Sequence, residues 1–540
     1  MTSLSGAIFM IAPSILGTAC TIALLITSLN LIRRLFSNAS LPSNLPWAGV
    51  GENNGSLGRA KANLASVFHL TELLDEGYMK YSKNDQTYVL PYFINGPQVI
   101  LPPSQIPWLL EQPDDVLSQE QVNRQFLQAE YAFFHANRVE DPVHPEVIQH
   151  QLTKNIGGFA DDVVDEARAV LEDCWGTDTE EWREVRVYDT MLHVIARLSI
   201  RVLMGRGFCR DETFLSICSQ FIRKVAIAAA AISLFPGFLK PIVGPIFTLF
   251  DYILYRRCRS FLMPIIRERL DRLRNPDTEK FPLEDPEVHN DFIQWSIDHA
   301  VARPVVNPVE LDPRVIAARF SVLAFAAIQS SVITLTNTIF DLAASPECAA
   351  SLASMHEEVA CETTEQKEEK GWSKTALWRM RHVDSALRES LRLNGFIERG
   401  IMKMVVAPAG VTLPNGAHLP RGTKVGVSGY SIHRDEGNYP DAVRYDAFRF
   451  VRGQEPEVGG VKRPQGLVNT SEKFMGFSHG SHACPGRFFA TTQLKIALGH
   501  IALLYEIEPI PERPVNRWFF GHIAPPLTET LRVRRRKLSV

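Results

Sequence analysis

The sequence predicts a mainly α-helical protein with a small β subdomain, preceded by one N-terminal transmembrane helix. Apolar residues recur with helical spacing over long segments, near 146–173, 184–204, 255–274, 311–344 and 375–394. Strand-like runs appear only late, at 402–406 and 424–427, on either side of the turn at Pro414-Asn415-Gly416. A long uncharged run stands near the N-terminus. Together these patterns indicate a helical domain with a minor sheet and a membrane anchor.

The N-terminal run extends from Ala7 to Leu29 without a charge, and Arg33 and Arg34 follow it. A spanning helix needs about 20 such residues. The arginines place the rest of the chain on the cytoplasmic side, because positive charges stay on that side of a membrane. A cleaved signal peptide is the alternative, but no positive charge precedes the run, which is also long for such a peptide. We therefore expect an anchor at 1–36, a Pro-punctuated linker at 37–50 and one domain at 51–540.

A second apolar tract runs from Val225 to Phe235 and is followed by Pro236. It is too short to span a bilayer. One interpretation is a buried helix and loop. The other is a patch that dips into the membrane beside a substrate entrance.

The composition excludes several classes of protein. The formal net charge is -3 and no basic arm is present, so nucleic-acid binding has little support. The eight cysteines form no CxxC pair, which argues against a disulfide framework and against a zinc knuckle. Seven of them are best interpreted as small buried side chains in a reducing compartment.

The eighth, Cys484, lies in the segment FSHGSHACPGR at 477–487. A thiolate that binds haem iron must be deprotonated, held in place and shielded from water. A structural cysteine, or a metal site made with His479 and His482, are the alternatives. The metal site is weakly supported, because no further ligand cluster stands nearby to complete fourfold coordination.

The neighbours of Cys484 suit a haem thiolate. Gly480 and Gly486 allow tight turns that bring N–H groups to the sulfur, and such donors stabilise a thiolate. We expect Phe477 to cover the sulfur from solvent and His482 to reach a haem propionate. The helix that begins after Gly486 would point its positive end at the sulfur.

This segment resembles the haem-binding loop of the cytochrome P450 family, and the resemblance covers nearly the whole chain after the linker. It implies a triangular helical fold around haem b, whose iron takes Cys484 as axial thiolate, with 51–540 as the catalytic domain. The helix at 320–340 would cross the distal face of the haem. The run Ile432-His433-Arg434-Asp435 is similar to membrane-bound fungal biosynthetic members.

The resemblance also implies a buried ion network. Glu389 and Arg392 share one helix face at i,i+3 spacing, which alone is typical of a surface pair. In the family an arginine of the later meander segment joins them, and Arg449 stands at that position. The usual Pro-Glu before this arginine is replaced by Ala-Phe.

The distal helix departs from the family pattern, because Gln329 stands in place of the acid and Ser330 in place of the threonine. Serine can donate a hydrogen bond to iron-bound dioxygen and relay a proton, whereas glutamine can hold a water but delivers no proton itself. The alternative is that both side chains only bond helix carbonyls. The family's Trp-x-x-x-Arg propionate clamp is absent, and His150 with Lys154 is a candidate substitute.

The implied activity is monooxygenation of a lipophilic small molecule, such as a terpenoid or polycyclic secondary metabolite. Electrons would come from NADPH–cytochrome P450 reductase, with cytochrome b5 as a further candidate, docked near Lys473, Arg487 and Lys495. The expected location is the endoplasmic reticulum membrane, with a single pass in contact with membrane lipid and a cytoplasmic catalytic domain. The alternatives are a haem-thiolate isomerase or dehydratase that activates no oxygen, and a non-catalytic haem-binding protein.

Overall fold

The computed structural model describes residues 21, 25–36, 41–51, 55–134, 146–275, 290–363, 371–396, 398–452, 457–458, 461–462, 466–519 and 522–537. The chain forms two compact units. The first contains residues 1–131, 227–249 and 402–426, and the second contains residues 132–226, 250–401 and 427–540.

Helices dominate the described residues, as the sequence predicts. In chain order they are α1 Ser56–Ala65, α2 Leu70–Lys80, α3 Ile106–Glu111, α4 Gln119–Leu127, α5 Ala129–Ala132, α6 Thr153–Trp175, α7 Val187–Met204, α8 Arg206–Cys209, α9 Glu212–Ser233, α10 Lys240–Phe247, α11 Leu249–Arg274, α12 Phe292–Ala302, α13 Pro313–Ala344, α14 Cys348–Thr363, α15 Lys374–Arg379, α16 Arg381–Asn394, α17 Gly429–His433, α18 Arg449–Arg452 and α19 Arg487–Leu504.

The strands are short. They are β1 Tyr88–Leu90, β2 Gln98–Leu101, β3 Leu117–Ser118, β4 Arg183–Arg186, β5 Gly400–Val405, β6 Val411–Thr412, β7 His418–Leu419, β8 Lys424–Val427, β9 Glu457–Val458, β10 Val461–Lys462, β11 Tyr505–Ile507, β12 Arg517–Phe519, β13 His522–Ala524 and β14 Thr530–Arg535.

The first unit is built on a five-stranded sheet of order β1-β2-β8-β5-β3. The β1 and β2 strands pair antiparallel, with Val89 opposite Val99, and every residue of both strands is buried. β5 and β8 are the two late strands that the sequence predicts, and the turn at Pro414–Gly416 joins the small ribbon β6–β7 between them. The two predicted late strands are therefore confirmed, but the expectation of a sheet inserted late is wrong in part, because three of the five strands lie between residues 88 and 118.

The second unit packs around α13, whose 32 residues follow an Asp312 N-cap that accepts the N–H of Arg314. Most side chains between Val315 and Ala343 are buried, because the helix is apolar on nearly every face. A second, three-stranded sheet of order β11-β14-β4 belongs to the same unit. Four of the five predicted long helical segments each form a long helix, namely α6, α7, α11 and α13.

Two predicted segments need correction. The segment 375–394 is not one helix, because the chain breaks at Met380 between α15 and α16. The tract from Val225 to Phe235 starts within a longer helix, α9, that begins at Glu212 and ends at Ser233. Pro236 follows directly, and a proline does not continue a helix.

The predicted span at 7–29 lies mostly outside the described residues, although residues 25–35 are helical. By length and composition alone, α9 and α13 could also cross a membrane. In α13, 67% of the most apolar window is buried within the protein, and in α9 50% is. The apolar character of α13 therefore reflects core packing.

Candidate active site

The cysteine loop is a tight turn that leads into α19. The backbone N–H of Cys484 donates to the carbonyl of Phe477 at 2.9 Å, which closes the loop. Two residues inside it adopt left-handed backbone conformations, Gly480 with φ 79° and Ser478 with φ 61°. Glycine adopts this conformation freely, whereas serine is strained in it. Only the surrounding hydrogen bonds can hold Ser478 there.

The sulfur of Cys484 lies against the start of α19. The backbone N–H donors of Gly486 and Arg487 lie close enough to the sulfur to act on its pKa, and the Arg487 N–H donates to the Cys484 carbonyl at 3.4 Å. Burial raises the pKa of the Cys484 thiol, while these two donors and the positive charge of Arg487 act in the opposite direction. Burial outweighs these groups, so the raised pKa favours the neutral thiol in the protein alone, and a cationic metal ion in contact with the sulfur would favour the thiolate and offset the cost of burial.

Phe477 and His482 lie in the same loop as this sulfur. Phe477 is buried, at 8% exposure. His482 is half-buried on a 3-10 turn two residues before Cys484. Among the described residues no three His, Cys, Asp or Glu side chains gather to hold a metal ion, so the alternative site with His479 gains no support. The nearby donor set fits a single thiolate ligand to a haem iron.

Glu389 is fully buried and is shared by two arginines. Arg392 donates to both of its carboxylate oxygens, from Nε and Nη2, at 2.8 Å each. Arg449 donates from Nε to Oε1 at 2.9 Å, and the backbone N–H of Asp446 adds a contact at 3.2 Å. The structure thus brings together the three residues that the sequence analysis selected, and they tie α16 to the first residue of α18.

Ser330 lies on an open face of α13. Ala326, four residues earlier on the same face, is exposed, and the Ser330 hydroxyl donates to the Ala326 carbonyl at 3.1 Å. This is the bond to a helix carbonyl that the sequence analysis gave as the alternative. Because a hydroxyl rotates at low cost, the same group can turn toward a bound ligand.

Gln329 points elsewhere, toward α7. Its amide hydrogen-bonds the hydroxyl of Tyr188, and burial raises the pKa of that tyrosine. The Gln329 Oε1 atom is buried and has no hydrogen-bond partner among the described residues. It can therefore still accept a bond from a water molecule.

The next residue, Ser331, belongs to a buried polar chain that the sequence analysis missed. Its Oγ accepts from Nε2 of Gln493 at 2.8 Å, and Oε1 of Gln493 accepts from the hydroxyl of Ser199 at 3.1 Å. These three residues lie on α13, α19 and α7 and are at most 2% exposed. These hydrogen bonds connect α19, the helix after the cysteine loop, to α13, the helix that carries Ser330.

The proposed docking charges need correction at one position. Lys473 is exposed, and Arg487 is half-buried, with Nη1 donating to the carbonyl of Cys484 at 2.9 Å. Lys495 is only 4% exposed and forms an ion pair with Asp384 at 2.9 Å. The prediction that Lys495 supplies surface charge is therefore wrong.

Arg388 is a second residue that the sequence analysis missed. It is 1% exposed, its guanidinium lies 3.9 Å from the ring centre of Phe474, and it donates to the carbonyls of Gly466 and Asn469. Burial lowers its pKa to about 10. Its position four residues before Arg392, on the same helix face, was the available signal. The side chains of His150 and Lys154 lie outside the described part of the chain, so the candidate clamp stays a prediction.

Comparison with known proteins agrees with this geometry. A sequence model described as cytochrome P450 matches residues 128–528. Cytochrome P450 monooxygenase polB of Polytolypa hystricis is 32% identical over 92% of this chain and 94% of its own length. Cytochrome P450 monooxygenase lnaC of Aspergillus flavus is 31% identical over 96% of this chain and 97% of its own length. Cytochrome P450 monooxygenase 103 of Postia placenta is 33% identical over 87% of this chain and 89% of its own length. The chain belongs to the cytochrome P450 family and is a monooxygenase whose cofactor is haem b with an axial cysteine thiolate.

Proposed function

We propose that Cys484 is the axial ligand of the haem iron and that the enzyme oxidises a lipophilic small molecule in a fungal biosynthetic pathway. The observation that carries this proposal is the position of Cys484 in a closed loop at the start of α19, with the backbone N–H groups of Gly486 and Arg487 close enough to its sulfur to act on its pKa. When bound, the haem supplies the activation of dioxygen, with electron density pushed from the thiolate. Phe477, Gly480, His482 and Gly486 form the immediate surroundings of the ligand.

In the proposed mechanism the residues of the chain position the sulfur, exclude water and move a proton. The two N–H groups hold the thiolate in place and set how much charge it donates. Phe477 keeps water away from it. Ser330 would relay a proton by turning its hydroxyl from the Ala326 carbonyl toward a ligand bound at the open face of α13. Gln329 can accept a bond from a water through its unpartnered Oε1, while Tyr188 fixes its amide.

The ligand assignment is tested by the reduced carbon monoxide difference spectrum of Cys484→Ser, with Cys361→Ser as the control. Cys361 is an exposed free cysteine on α14. We expect the spectrum of a thiolate-bound haem to disappear in the first variant and to persist in the second. A thiolate spectrum that persists in Cys484→Ser would refute the assignment.

We propose NADPH–cytochrome P450 reductase as the electron donor, because no flavin- or dinucleotide-binding fingerprint occurs in the sequence; cytochrome b5 is a further candidate. Its docking surface would include Lys473, which is exposed, and Arg487, next to Cys484. The test is turnover with reductase, NADPH and dioxygen across a panel of terpenoids and polycyclic metabolites that first give substrate-induced spectral shifts. Conversion that needs peroxide even in the presence of reductase would contradict this choice of donor.

A second candidate activity is isomerisation or dehydration of an already oxidised substrate without oxygen activation. The observation that favours it is Gln329 at the position of the family's acid, with its amide turned toward Tyr188. Conversion of a hydroperoxide at equal rates with and without reductase would select this activity. A strict requirement for NADPH would remove it.

We propose that the enzyme is anchored to the endoplasmic reticulum membrane with its catalytic domain in the cytoplasm. The described helix at 25–35 exposes apolar side chains, among them Leu25, Leu29 and Ile32. In the first unit the segment around α10 also exposes large apolar residues, namely Phe238, Ile242, Ile246 and Leu249. Large exposed apolar patches mark membrane or protein contacts.

The two membrane contacts can be separated by flotation with liposomes. A chain that lacks residues 1–36 should still bind weakly, and Ile242→Ser with Ile246→Ser in that shortened chain should abolish the binding. Equal flotation of both shortened forms would remove the α10 segment from the membrane surface. Full solubility of the intact chain after alkaline extraction would remove the anchor.

A further inference from the structure

His433 ends the short helix α17 and is 2% exposed. It belongs to the run Ile432-His433-Arg434-Asp435, which the oxygen chemistry described above does not use. Its ring stacks on Phe474 at 5.7 Å between centres. A buried polar ring must find partners for its nitrogen atoms, and both nitrogens of His433 have one.

The two partners fix the protonation of the ring. Nε2 lies 2.9 Å from the backbone nitrogen of Met475, and Nδ1 lies 3.1 Å from the carbonyl oxygen of Arg392. A backbone N–H can only donate and a carbonyl oxygen can only accept. Nε2 is therefore the acceptor, and Nδ1 carries the proton. Only the neutral tautomer with hydrogen on Nδ1 satisfies both contacts.

Protonation of the second nitrogen is strongly disfavoured in this environment. Burial lowers the pKa of His433 to about 3, and the guanidinium charges of Arg392, Arg434 and Arg388 add to the effect, whereas the bond to the Arg392 carbonyl opposes it. The ring thus stays a one-donor, one-acceptor connector at pH values well above 3.

The connector joins the buried ion network to the cysteine loop. At one end is Arg392, whose guanidinium binds Glu389 and also the carbonyl of His433 itself. At the other end is Met475, whose carbonyl accepts the N–H of Ser478 at 2.9 Å. Two residues after Met475, the Phe477 carbonyl accepts the N–H of Cys484. A single ring therefore spans the gap between α16 and the base of the loop.

We propose that His433 is a positioning residue that holds the cysteine loop at the geometry in which the Cys484 sulfur donates to the haem iron. This inference rests on the proposed role of Cys484. The Met475 N–H fixes the backbone at the entry of the loop, one residue before the turn that contains the strained Ser478. Without that fixed point the loop can relax, and the backbone donors to the sulfur move with it. His433 touches neither substrate nor haem in this scheme, and acts through Met475 alone.

The test uses three replacements that divide the two contacts. His433→Gln places an amide oxygen near the position of Nε2 and keeps an acceptor for Met475. His433→Asn keeps a donor near the position of Nδ1 for Arg392 but does not reach Met475. His433→Leu keeps neither. The readouts are the reduced carbon monoxide spectrum and the reduction potential of the haem-loaded full chain.

We expect His433→Gln to retain the spectrum and potential of the wild type. His433→Asn and His433→Leu should convert most of the haem to the form with a protonated thiol and shift the potential upward, since a thiol donates less charge than a thiolate. The matched control is His500→Gln on α19, another buried histidine, which stacks on Trp372 at 4.2 Å and bonds only its own helix through Nδ1. It should change stability without changing the spectrum.

The outcomes separate cleanly. If His433→Gln loses haem or its thiolate spectrum, or if His433→Asn matches the wild type in both readouts, the positioning role is overturned. Loss of haem by His433→Leu alone leaves the comparison of Gln with Asn to decide. A thiolate spectrum that survives Cys484→Ser refutes the ligand assignment itself, whatever the His433 variants do, so the two failures are distinguishable.

Discussion

Arg449 and Arg444 stand five residues apart in the same segment, yet their surroundings predict very different costs of removal. The Arg449 side chain is 12% exposed and donates to the fully buried carboxylate of Glu389. The Arg444 side chain is 60% exposed and pairs with Glu347, which is 54% exposed. Arg449→Ala and Arg444→Ala therefore form a matched pair of perturbations that remove the same chemical group.

The magnitudes follow from burial. Removing one partner of a buried ion pair costs about 3–5 kcal/mol, because it leaves the other charge partly unpaired in a medium that solvates it poorly. An exposed pair contributes about 0–1 kcal/mol. Arg449 also donates to the carbonyls of Asp441 and Arg444, at 3.1 and 3.0 Å, so its loss frees further backbone acceptors. Glu389 keeps Arg392 in both variants, which places Arg449→Ala near the lower end of the range.

The assay is thermal unfolding of the haem-loaded protein, followed by the loss of haem absorbance at a fixed scan rate. An unfolding entropy of about 2.1 cal/mol/K per residue over 540 residues gives about 1.1 kcal/mol/K, so Arg449→Ala should lower the midpoint by about 3–4 °C. Arg444→Ala should lower it by less than about 1 °C. Equal shifts in the two variants would refute the claim that burial of Glu389 governs the cost.

Three further predictions concern other groups. Burial raises the pKa of Glu398 to about 7, although the positive charge of Arg399 acts to lower it. Between pH 4.5 and 7 the folded protein therefore keeps a proton on Glu398 that the unfolded chain releases. The free energy of unfolding falls as the pH rises through this interval. Glu398→Gln should remove that decline, worth at most about 3 kcal/mol, in midpoints measured from pH 5 to 8. Lys473→Ala should raise the reductase concentration that gives half of the maximal rate by roughly 2- to 5-fold, because this lysine is exposed. Lys495→Met should leave that concentration unchanged for the protein that remains folded, because Lys495 is buried. Gln493→Leu should leave the buried hydroxyls of Ser331 and Ser199 without a partner, which costs about 1–3 kcal/mol of folding stability, and should lower the amount of product formed per NADPH consumed. An unchanged ratio of product to NADPH would show that Gln493 takes no part in the oxygen chemistry.

The sequence predicts the long helices well because their apolar spacing is a local property. It fails where a distant group decides the local structure. The break at Met380 is an example, since the carboxylate of Glu358 on α14 accepts the N–H groups of Arg381 and His382 at 2.6 and 2.8 Å. The N–H groups in the first turn of a helix have no partner within the helix, and here the side chain of a residue more than 20 positions earlier in the chain accepts their bonds. No pattern near Met380 reveals that partner.

In the candidate site, too, local features were predictable from the sequence and contacts with distant helices were not. Cys484 and its glycines are contiguous, so the loop could be recognised from its own letters. Lys495 was misplaced because a lysine in a helix is ordinarily solvated, and its partner Asp384 lies on α16. Gln493 was missed for the corresponding reason, since Ser331 and Ser199 lie on two other helices.

The placement of buried charge in the second unit itself argues for a positioning role. Arg388, Glu389 and Arg392 are each at most 1% exposed, and all lie on α16. Well-packed apolar side chains of similar volume often stabilise a protein as well as a buried ion pair does, so stability alone does not account for this cluster. Apolar side chains cannot form directional hydrogen bonds, which fix the position of a partner group. Arg388 and Arg392 donate to defined backbone carbonyls, and Glu389 accepts from the guanidinium groups of Arg392 and Arg449. Through His433 this fixed geometry extends from Arg392 to the backbone of Met475, before the cysteine loop. The arrangement is explained by a need to hold one sulfur atom at a fixed point, because the charge that a thiolate donates depends on the geometry of its bonds.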